Sequence, residues 1–333
     1  MRVPGVVGRL VEPREVAERL LGETKVLAVA HESPDGDALG CVAAFLLVCE
    51  KLGVDCSAFI PGENAFPPEY SFLPKVGEIA RGEWPFLEPG ASVYFLDCAS
   101  LHRSAPDRLS KGLVTINIDH HQDNPLYADL NLVDPAAPST SSLLYRVLRA
   151  GNLPIDPDVA TALYVGLVTD TGKFQYGNAT PEAHRLAAEL QERGVDVVAV
   201  AREVYESVPY PKLLLMGRAL QRLQVRLGGA LVVSWLNTGD FAETGADEGH
   251  TEGIIDKLRQ TKGARVAALA RERLREGKVE TKVSLRCMDG SVDVAAIAHE
   301  QGGGGHRQAA GFTAEKELSA VLNWLEDRVR ASL

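Results

Sequence analysis

The stretch His31-Glu32-Ser33-Pro34-Asp35-Gly36-Asp37-Ala38-Leu39-Gly40 constrains this chain most, because it ties a strand to a helix through a turn crowded with metal donors. Thr24 to Ala30 (TKVLAVA) reads as a short buried strand. Ala38 to Leu52 (ALGCVAAFLLVCEKL) reads as a mostly buried helix. Between them lie one imidazole and two carboxylates, with Pro34 and Gly36 shaping a tight turn. A strand that passes directly into a helix belongs to a parallel α/β sheet, whose carboxyl edge is where ligands bind. Taken alone, the segment also admits a plainer reading as an Asp-rich turn capping a helix. It does not stand alone.

Three further apolar runs end in the same way. Val93 to Leu96 runs into Asp97, and Leu113 to Ile118 runs into Asp119-His120-His121, with Asn124 close behind. The helical pattern from Asp158 to Val168 delivers Thr169-Asp170-Thr171-Gly172. Parallel strands bring such tips together along one edge. Gathering Asp35, Asp37, Asp97 and Asp170 there sets each pair at ~4 Å against about 4 kcal/mol of repulsion, at an effective dielectric near ~20. No Lys or Arg lies within these four short segments, so bound metal is the simpler counter-charge. Four carboxylates with His31 and His120 suit two divalent ions sharing a carboxylate. Mixed oxygen and nitrogen ligation favours manganese and admits magnesium, cobalt or zinc. Two ions ~3.5–4 Å apart clamp the attacking and leaving oxygens of a phosphoryl displacement.

The C-terminal third carries a different chemistry. Lys278 to Arg286 alternates strictly, with Val279, Thr281, Val283 and Leu285 on one face and Lys278, Glu280, Lys282, Ser284 and Arg286 on the other, as a half-buried strand does. Four glycines, Gly302 to Gly305, precede His306. Such a run lets backbone approach a ligand closely, and its consecutive N–H groups form an anion-binding nest. The chain is acidic overall, at −10, which argues against a long duplex as main partner. Yet Lys257 to Arg286 holds ten cations against three acids, so this segment is +7 and the remainder −17. That asymmetry suits a short phosphorylated substrate; a solvated basic surface is the plainer alternative.

With 333 residues, two globular domains are expected. Strands are predicted near 25–30, 54–60, 93–97 and 113–118, and helices near 38–52, 139–150, 157–169, 181–193 and 196–206. Ser139 to Ser142 reads as a helix N-cap, or as hydroxyls offered to a phosphate. Pro209 and Pro211 mark a break before a connecting helix, and strands near 230–236, 264–270 and 279–286 precede a final helix near 315–331. The expected boundaries are 1–208, a linker at 209–227, and 228–333. The longest apolar stretch is too short to span a bilayer, and Met1 to Arg14 lacks a signal-peptide core, so a cytoplasmic protein is expected. Five cysteines without CxxC pairing read as reduced thiols.

The segments HESPDGDALG, FLDCAS, IDHHQDN and VTDTGKF resemble, in order, the four motifs of the DHH phosphoesterase superfamily, and GGGGHRQAAG resembles the signature of the DHH-associated C-terminal domain. The resemblance covers nearly the whole chain. It implies an α/β protein with an N-terminal parallel-sheet Rossmann-like domain and a smaller mixed-sheet C-terminal domain, joined by a helical linker with the active site in the interdomain cleft. It further implies that His31, Asp35 and Asp97 hold one Mn2+ ion, and that Asp37, Asp97, His120 and Asp170 hold the other, with Asp97 as the bridge. Asp119 would orient a neighbouring imidazole, and His121 would face the scissile phosphate; the spacing alone leaves open which of the adjacent histidines ligates. A water bridging both ions would be the attacking hydroxide. Arg103, six residues beyond Asp97, is a candidate for stabilising phosphate charge, and an exposed loop arginine otherwise. Arg286, Gly303, Gly304, Gly305 and His306 would bind substrate.

By length the chain looks closest to the oligoribonuclease branch of the superfamily, which acts on RNA of a few nucleotides and removes the 3′-phosphate of pAp (3′-phosphoadenosine 5′-phosphate). Short DNA is then a secondary ligand, and homodimers are implied. Rival readings are a cyclic or linear dinucleotide phosphodiesterase, a RecJ-like single-strand DNA exonuclease, and a metal-free nucleotide-binding module.

Overall fold

The computed structural model describes residues 8–62, 65–85, 87–88, 90–104, 112–275 and 278–333; the side chains of residues 274, 275, 278 and 306 lie outside that description. The chain divides into two compact units, with the boundary between Ser207 and Val208.

In the first unit β1 (Arg9–Leu10), β2 (Lys25–Val29), β3 (Asp55–Phe59), β4 (Ser92–Leu96), β5 (Val114–Asp119) and β6 (Leu130–Val133) form one sheet in the order β1-β6-β5-β4-β2-β3. Every neighbouring pair is parallel, with Ala28 beside Tyr94 and Tyr94 beside Ile116. The helices are α1 (Pro13–Leu21), α2 (Gly36–Leu52), α3 (Thr140–Ala150), α4 (Pro157–Asp170), α5 (Pro181–Glu192) and α6 (Val197–Ala201). Successive strand residues point to opposite faces. Val26, Ala28, Tyr94, Leu96, Ile116 and Ile118 therefore meet the helices in one large core. Leu27, Val29, Val93 and Phe95 form a smaller cluster on the reverse face with Phe59, Leu87, Cys98 and Leu113. Helix α2 is buried from Gly36 through Cys49, which explains why its sequence carries no polar stripe. Gly166 of α4 lets that helix approach the site: a Cβ there would lie 1.9 Å from Ser141 Oγ and 2.5 Å from Asp37 Oδ1.

The second unit holds β7 (Gln224–Arg226), β8 (Leu231–Leu236), β9 (Val266–Arg275), β10 (Lys278–Cys287), β11 (Gly304–His306) and β12 (Ala309–Ala314), ordered β11-β12-β10-β9-β8-β7. Only the β8–β9 pair is parallel. Its helices are α7 (Tyr210–Gln221), α8 (Thr238–Thr244), α9 (Ile254–Leu258), α10 (Val294–His299) and α11 (Leu318–Ser332). Val283, Leu285 and Phe312 pack with Ile297, Val321 and Leu325 on one face of the sheet. On the other face, Leu215, Ala219, Ile254 and Leu258 cover Val232, Ala267 and Leu269.

Three local expectations differ from what is observed. The connecting helix stops at Gln221, where Gln224–Arg226 extends into β7 and Gly228 turns at φ 65°. The helical pattern near 196–206 is α6 followed by a wider π-type turn over Arg202–Glu206. The glycine run is not an open loop: Gly304 to His306 is strand β11, paired with Ala309 to Gly311 of β12. A Cβ at Gly303 would lie 2.2 Å from the Gly311 carbonyl oxygen, so close strand approach already demands a glycine there. Among the described residues no helix is long and apolar enough to cross a membrane.

Candidate metal centre

The chain leaves β2 for β3 on one side of the sheet and returns to β4 on the other. Such a reversal opens a crevice at the carboxyl ends of the two central strands. His31 follows β2, Asp97 follows β4, and Asp119 ends β5 with His120 and His121 directly after it. Asp35 caps α2, its Oδ1 accepting from the Asp37 and Ala38 amides at 3.1 Å each. Asp37 lies in the first turn of α2, and Asp170 is the last residue of α4. All six expected donors meet here. Three sets of ligand atoms each lie within 4.8 Å of one another: His31, Asp35 and Asp97; Asp37, His120 and Asp170; and Asp97, His120 and His121.

Local folding aims each group. Asp97 sits in the left-handed region at φ 61°, which turns its carboxylate out of the line of β4 while its amide still donates to Ile118 O. Aspartate tolerates that conformation better than most residues. His31 Nδ1 lies 2.9 Å from Glu32 O and 3.1 Å from Arg103 Nη2, and Nε2 lies 3.5 Å from Asp97 Oδ2. His120 Nδ1 approaches Ala137 O at 3.3 Å, leaving Nε2 3.4 Å from Asp170 Oδ2 and 3.9 Å from Asp97 Oδ1. His121 differs. Its Nδ1 is 2.7 Å from Asp119 Oδ1, so the nitrogen nearer Asp97 is already occupied and Nε2 is the one left for other contacts. Asp119 is fully buried and also accepts from Asn124 Nδ2, which in turn donates to Asn117 Oδ1 at 2.8 Å. The adjacent histidines thus have different Nδ1 partners, a carbonyl for His120 and a carboxylate for His121.

The carboxylates have supports that sequence reading missed. Asp37 accepts from Thr140 N at 2.6 Å, Ser141 N at 2.9 Å and Ser141 Oγ at 2.5 Å. It therefore lies on the N-terminus of α3, where orphan amides and the helix dipole favour negative charge. Thr140 Oγ1 donates to Asp97 Oδ1 at 2.9 Å. Ser139 alone does the capping, accepting from Ser142 N. Asn178 Nδ2 reaches both Pro138 O and Asp170 Oδ2. The Ser-Thr-Ser-Ser run looked like a generic cap, and the signal that two of its hydroxyls serve carboxylates was not in its own spacing.

Burial and crowding set the charge states of this cluster. Burial, reinforced by Asp97, pushes the Asp37 carboxyl up to about 7. Burial, with repulsion from Asp37, Asp97 and Asp35, pushes Asp170 up to about 9. Asp97 moves the other way despite its burial, because His31 and the two other imidazoles hold it at about 2. Burial opposes charge on His121, but Asp119 and Asp97 raise it to about 9. Carboxylates that hold protons so strongly, facing imidazole lone pairs, fit a divalent metal by donor type. Arg103 stands beside this set, exposed, with Nη2 3.2 Å from Glu32 O and 3.1 Å from His31 Nδ1. It touches His31 and its loop. Arg286, Gly303 and Gly304 lie in the second unit, Arg286 on β10 opposite Ala309 of β12. The His306 side chain is outside the described ones.

A parallel sheet whose switch point gathers aspartates and imidazoles, followed by a mixed-sheet unit, defines a two-unit α/β protein with a candidate metal centre at a sheet edge. The chain belongs to the DHH phosphoesterase family: the model of the DHH family, N-terminal domain, matches residues 25–167, and that of the DHHA1 domain matches 228–331. It is 34% identical over 302 residues to the bifunctional oligoribonuclease and PAP phosphatase NrnA of Thermus thermophilus, covering 90% of this chain and 87% of that one. It is 31% identical over 161 residues, 44% of this chain and 48% of the other, to a probable manganese-dependent inorganic pyrophosphatase of Streptococcus mutans. An exopolyphosphatase-related protein from Bacteroides fragilis shares the fold with a TM-score of 0.86 at 23% identity, over 96% of both chains.

Proposed function

We propose that this chain is a manganese-dependent phosphoesterase that hydrolyses very short oligoribonucleotides to mononucleotides and removes the 3′-phosphate of pAp. The observation that carries it is the meeting of His31, Asp35, Asp37, Asp97, His120 and Asp170 at the sheet's switch point. In this reading His31, Asp35 and Asp97 hold one ion, and Asp37, Asp97, His120 and Asp170 hold the other. Bound there, the ion pair supplies an activated water and Lewis-acid neutralisation of phosphate charge. Asp119 fixes the His121 ring through Nδ1, so that Nε2 faces a phosphate oxygen and donates a proton to it while the imidazole is charged. Thr140 and Ser141 hold Asp97 and Asp37 at the angle their lone pairs need. Arg103 fixes the His31 loop through Glu32 O, and from that position adds positive charge at the rim.

Residues 1–208 are assigned as the metal-binding catalytic part and 228–333 as the substrate-binding part, with Arg286, Gly303, Gly304, Gly305 and His306 recognising the nucleotide. The name and near full-length match of the Thermus relative support the substrate class, and the pyrophosphatase relative supports manganese. The test is turnover with manganese or chelator across pAp, diribonucleotides, RNA of graded length, single-stranded DNA and cyclic dinucleotides. Manganese-activated hydrolysis of di- to tetraribonucleotides and of pAp, above that of DNA and cyclic dinucleotides, is expected. Preference for cyclic dinucleotides or long DNA would move the chain to another branch of the family.

A further inference from the structure

The backbone directly after Asp170 takes a course that L-residues avoid. Gly172, Lys173 and Phe174 are all left-handed, at φ 56°, 60° and 60°. Single residues visit that region, but consecutive non-glycine residues there are costly and persist only where surrounding contacts hold them. Neither Lys173 nor Phe174 has the short polar side chain that eases this conformation in asparagine or aspartate. Lys173 N donates to Val168 O at 2.8 Å, which folds the turn back onto the end of α4. Tyr205 Oη donates to the same carbonyl at 3.2 Å. The Lys173 ammonium lies over that tyrosine's ring, 3.9 Å from its centre. Backbone, ring and ammonium thus close a loop through Val168 O, with Tyr205 delivered by the π-type turn over Arg202–Glu206. Phe174 is held separately, its ring stacked on His184 with centres 5.0 Å apart and 29° between the planes. Beyond the turn comes Asn178, whose Nδ2 lies 3.2 Å from both Asp170 O and Asp170 Oδ2. The segment therefore holds Asp170 from both of its ends.

We propose that Lys173 is a positioning residue: its ammonium on the Tyr205 ring keeps the left-handed turn closed, and the closed turn holds Asp170 at the candidate metal centre. This rests on the assignment of Asp170 to an ion made above. Opening the turn releases the carbonyl of Val168, two residues before Asp170, and moves Asn178, the amide that donates to the carboxylate. Substitutions at Lys173 separate the two parts of this role. Alanine keeps the backbone cost and loses the ammonium. Glycine loses both together, because it adopts positive φ without a Cβ penalty. Arginine keeps a cation over the ring. A lysine that contacted phosphate directly would give a different order, with glycine as poor as alanine and the loss seen in KM.

The experiment titrates the full chain with Mn2+, reading the free ion by electron paramagnetic resonance, for wild type, K173A, K173G, K173R and Y205L. Backbone hydrogen exchange over residues 168–178 is measured on the same proteins in chelator. K173A and Y205L are expected to lose about tenfold in one ion-binding step and to exchange about tenfold faster over this segment. K173R and K173G are expected to stay within about threefold of wild type in both readouts. Unchanged exchange in K173A and Y205L, an equal loss in K173A and K173G, or a loss spread evenly over both binding steps overturns the positioning role. Faster exchange in K173A and Y205L, restored in K173R and K173G, in a chain that binds no manganese supports the hold of Lys173 on this segment and overturns the assignment of Asp170 to an ion alone.

Discussion

Asp37 uses both carboxylate oxygens on the N-terminus of α3 and still faces the imidazole and carboxylate that would share a metal with it. Its geometry therefore depends on Ser141, whose hydroxyl and amide both reach Oδ1. Substituting S141A removes one of its supporting donors, and a loss of about 10–100-fold in manganese affinity or kcat is expected. Titration of apo protein with manganese, with kcat measured at saturation, reads the two separately. D97A and H120A remove two of the proposed metal ligands, so hydrolysis is expected to disappear while circular dichroism and melting show a folded chain. Retained turnover in either variant would falsify the assigned roles. The motif aspartates and histidines were legible in the sequence because each interrupts an apolar run at a strand or helix end. What separates His120 from His121 was not legible, since it lies in the carbonyl of Ala137 and the carboxylate of Asp119 rather than in their shared spacing.

At the level of elements, the site depends on how closely α4 and α3 approach α2. Gly166 is the contact where a side chain would collide with both Ser141 and Asp37. G166A is expected to destabilise the first unit by about 1–3 kcal/mol through overpacking, and to weaken metal binding further because Asp37 must move. Denaturant unfolding with and without manganese distinguishes these: a purely structural glycine would lower both curves equally. That β2 and β4 are parallel strands was readable from their continuous apolar runs, and β5 from the acidic and histidine tip that ends it. β6 and β11 were not, because Leu130–Val133 is short and polar-interrupted and Gly304–His306 has no strand-forming side chains. The hairpin of β11 on β12 is set by close backbone contact at Gly303 and Gly305 instead, a property of the partner strand.

On the scale of the molecule, the crowded carboxylates couple proton binding, metal binding and stability. Asp170, raised to about 9, holds its proton more tightly folded than unfolded, so the folded chain carries the extra proton between the ordinary carboxylate range and about pH 9. Stability in chelator therefore falls as pH rises through that window. His121 acts in the same sense: its stabilisation is complete below the ordinary imidazole pKa and is lost as pH passes about 9. Asp97, held at about 2, acts in the opposite sense: its stabilisation is present above the ordinary carboxylate range and is lost as pH falls toward about 2. A divalent ion replaces the proton, so the Tm gain on adding manganese is expected to grow with pH across neutrality, and binding should release protons to buffer. Melting curves in chelator and in manganese at several pH values check this; a Tm in chelator that rises toward alkaline pH contradicts it.

One centre, built on Asp97, is proposed to hold both ions. Anomalous scattering at the manganese edge from crystals grown with Mn2+ tests it most directly. Two peaks ~3.5–4 Å apart are predicted, one between His31, Asp35 and Asp97 and the other between Asp37, Asp97, His120 and Asp170. Peaks elsewhere, or none in crystals that still turn over substrate, would contradict the account.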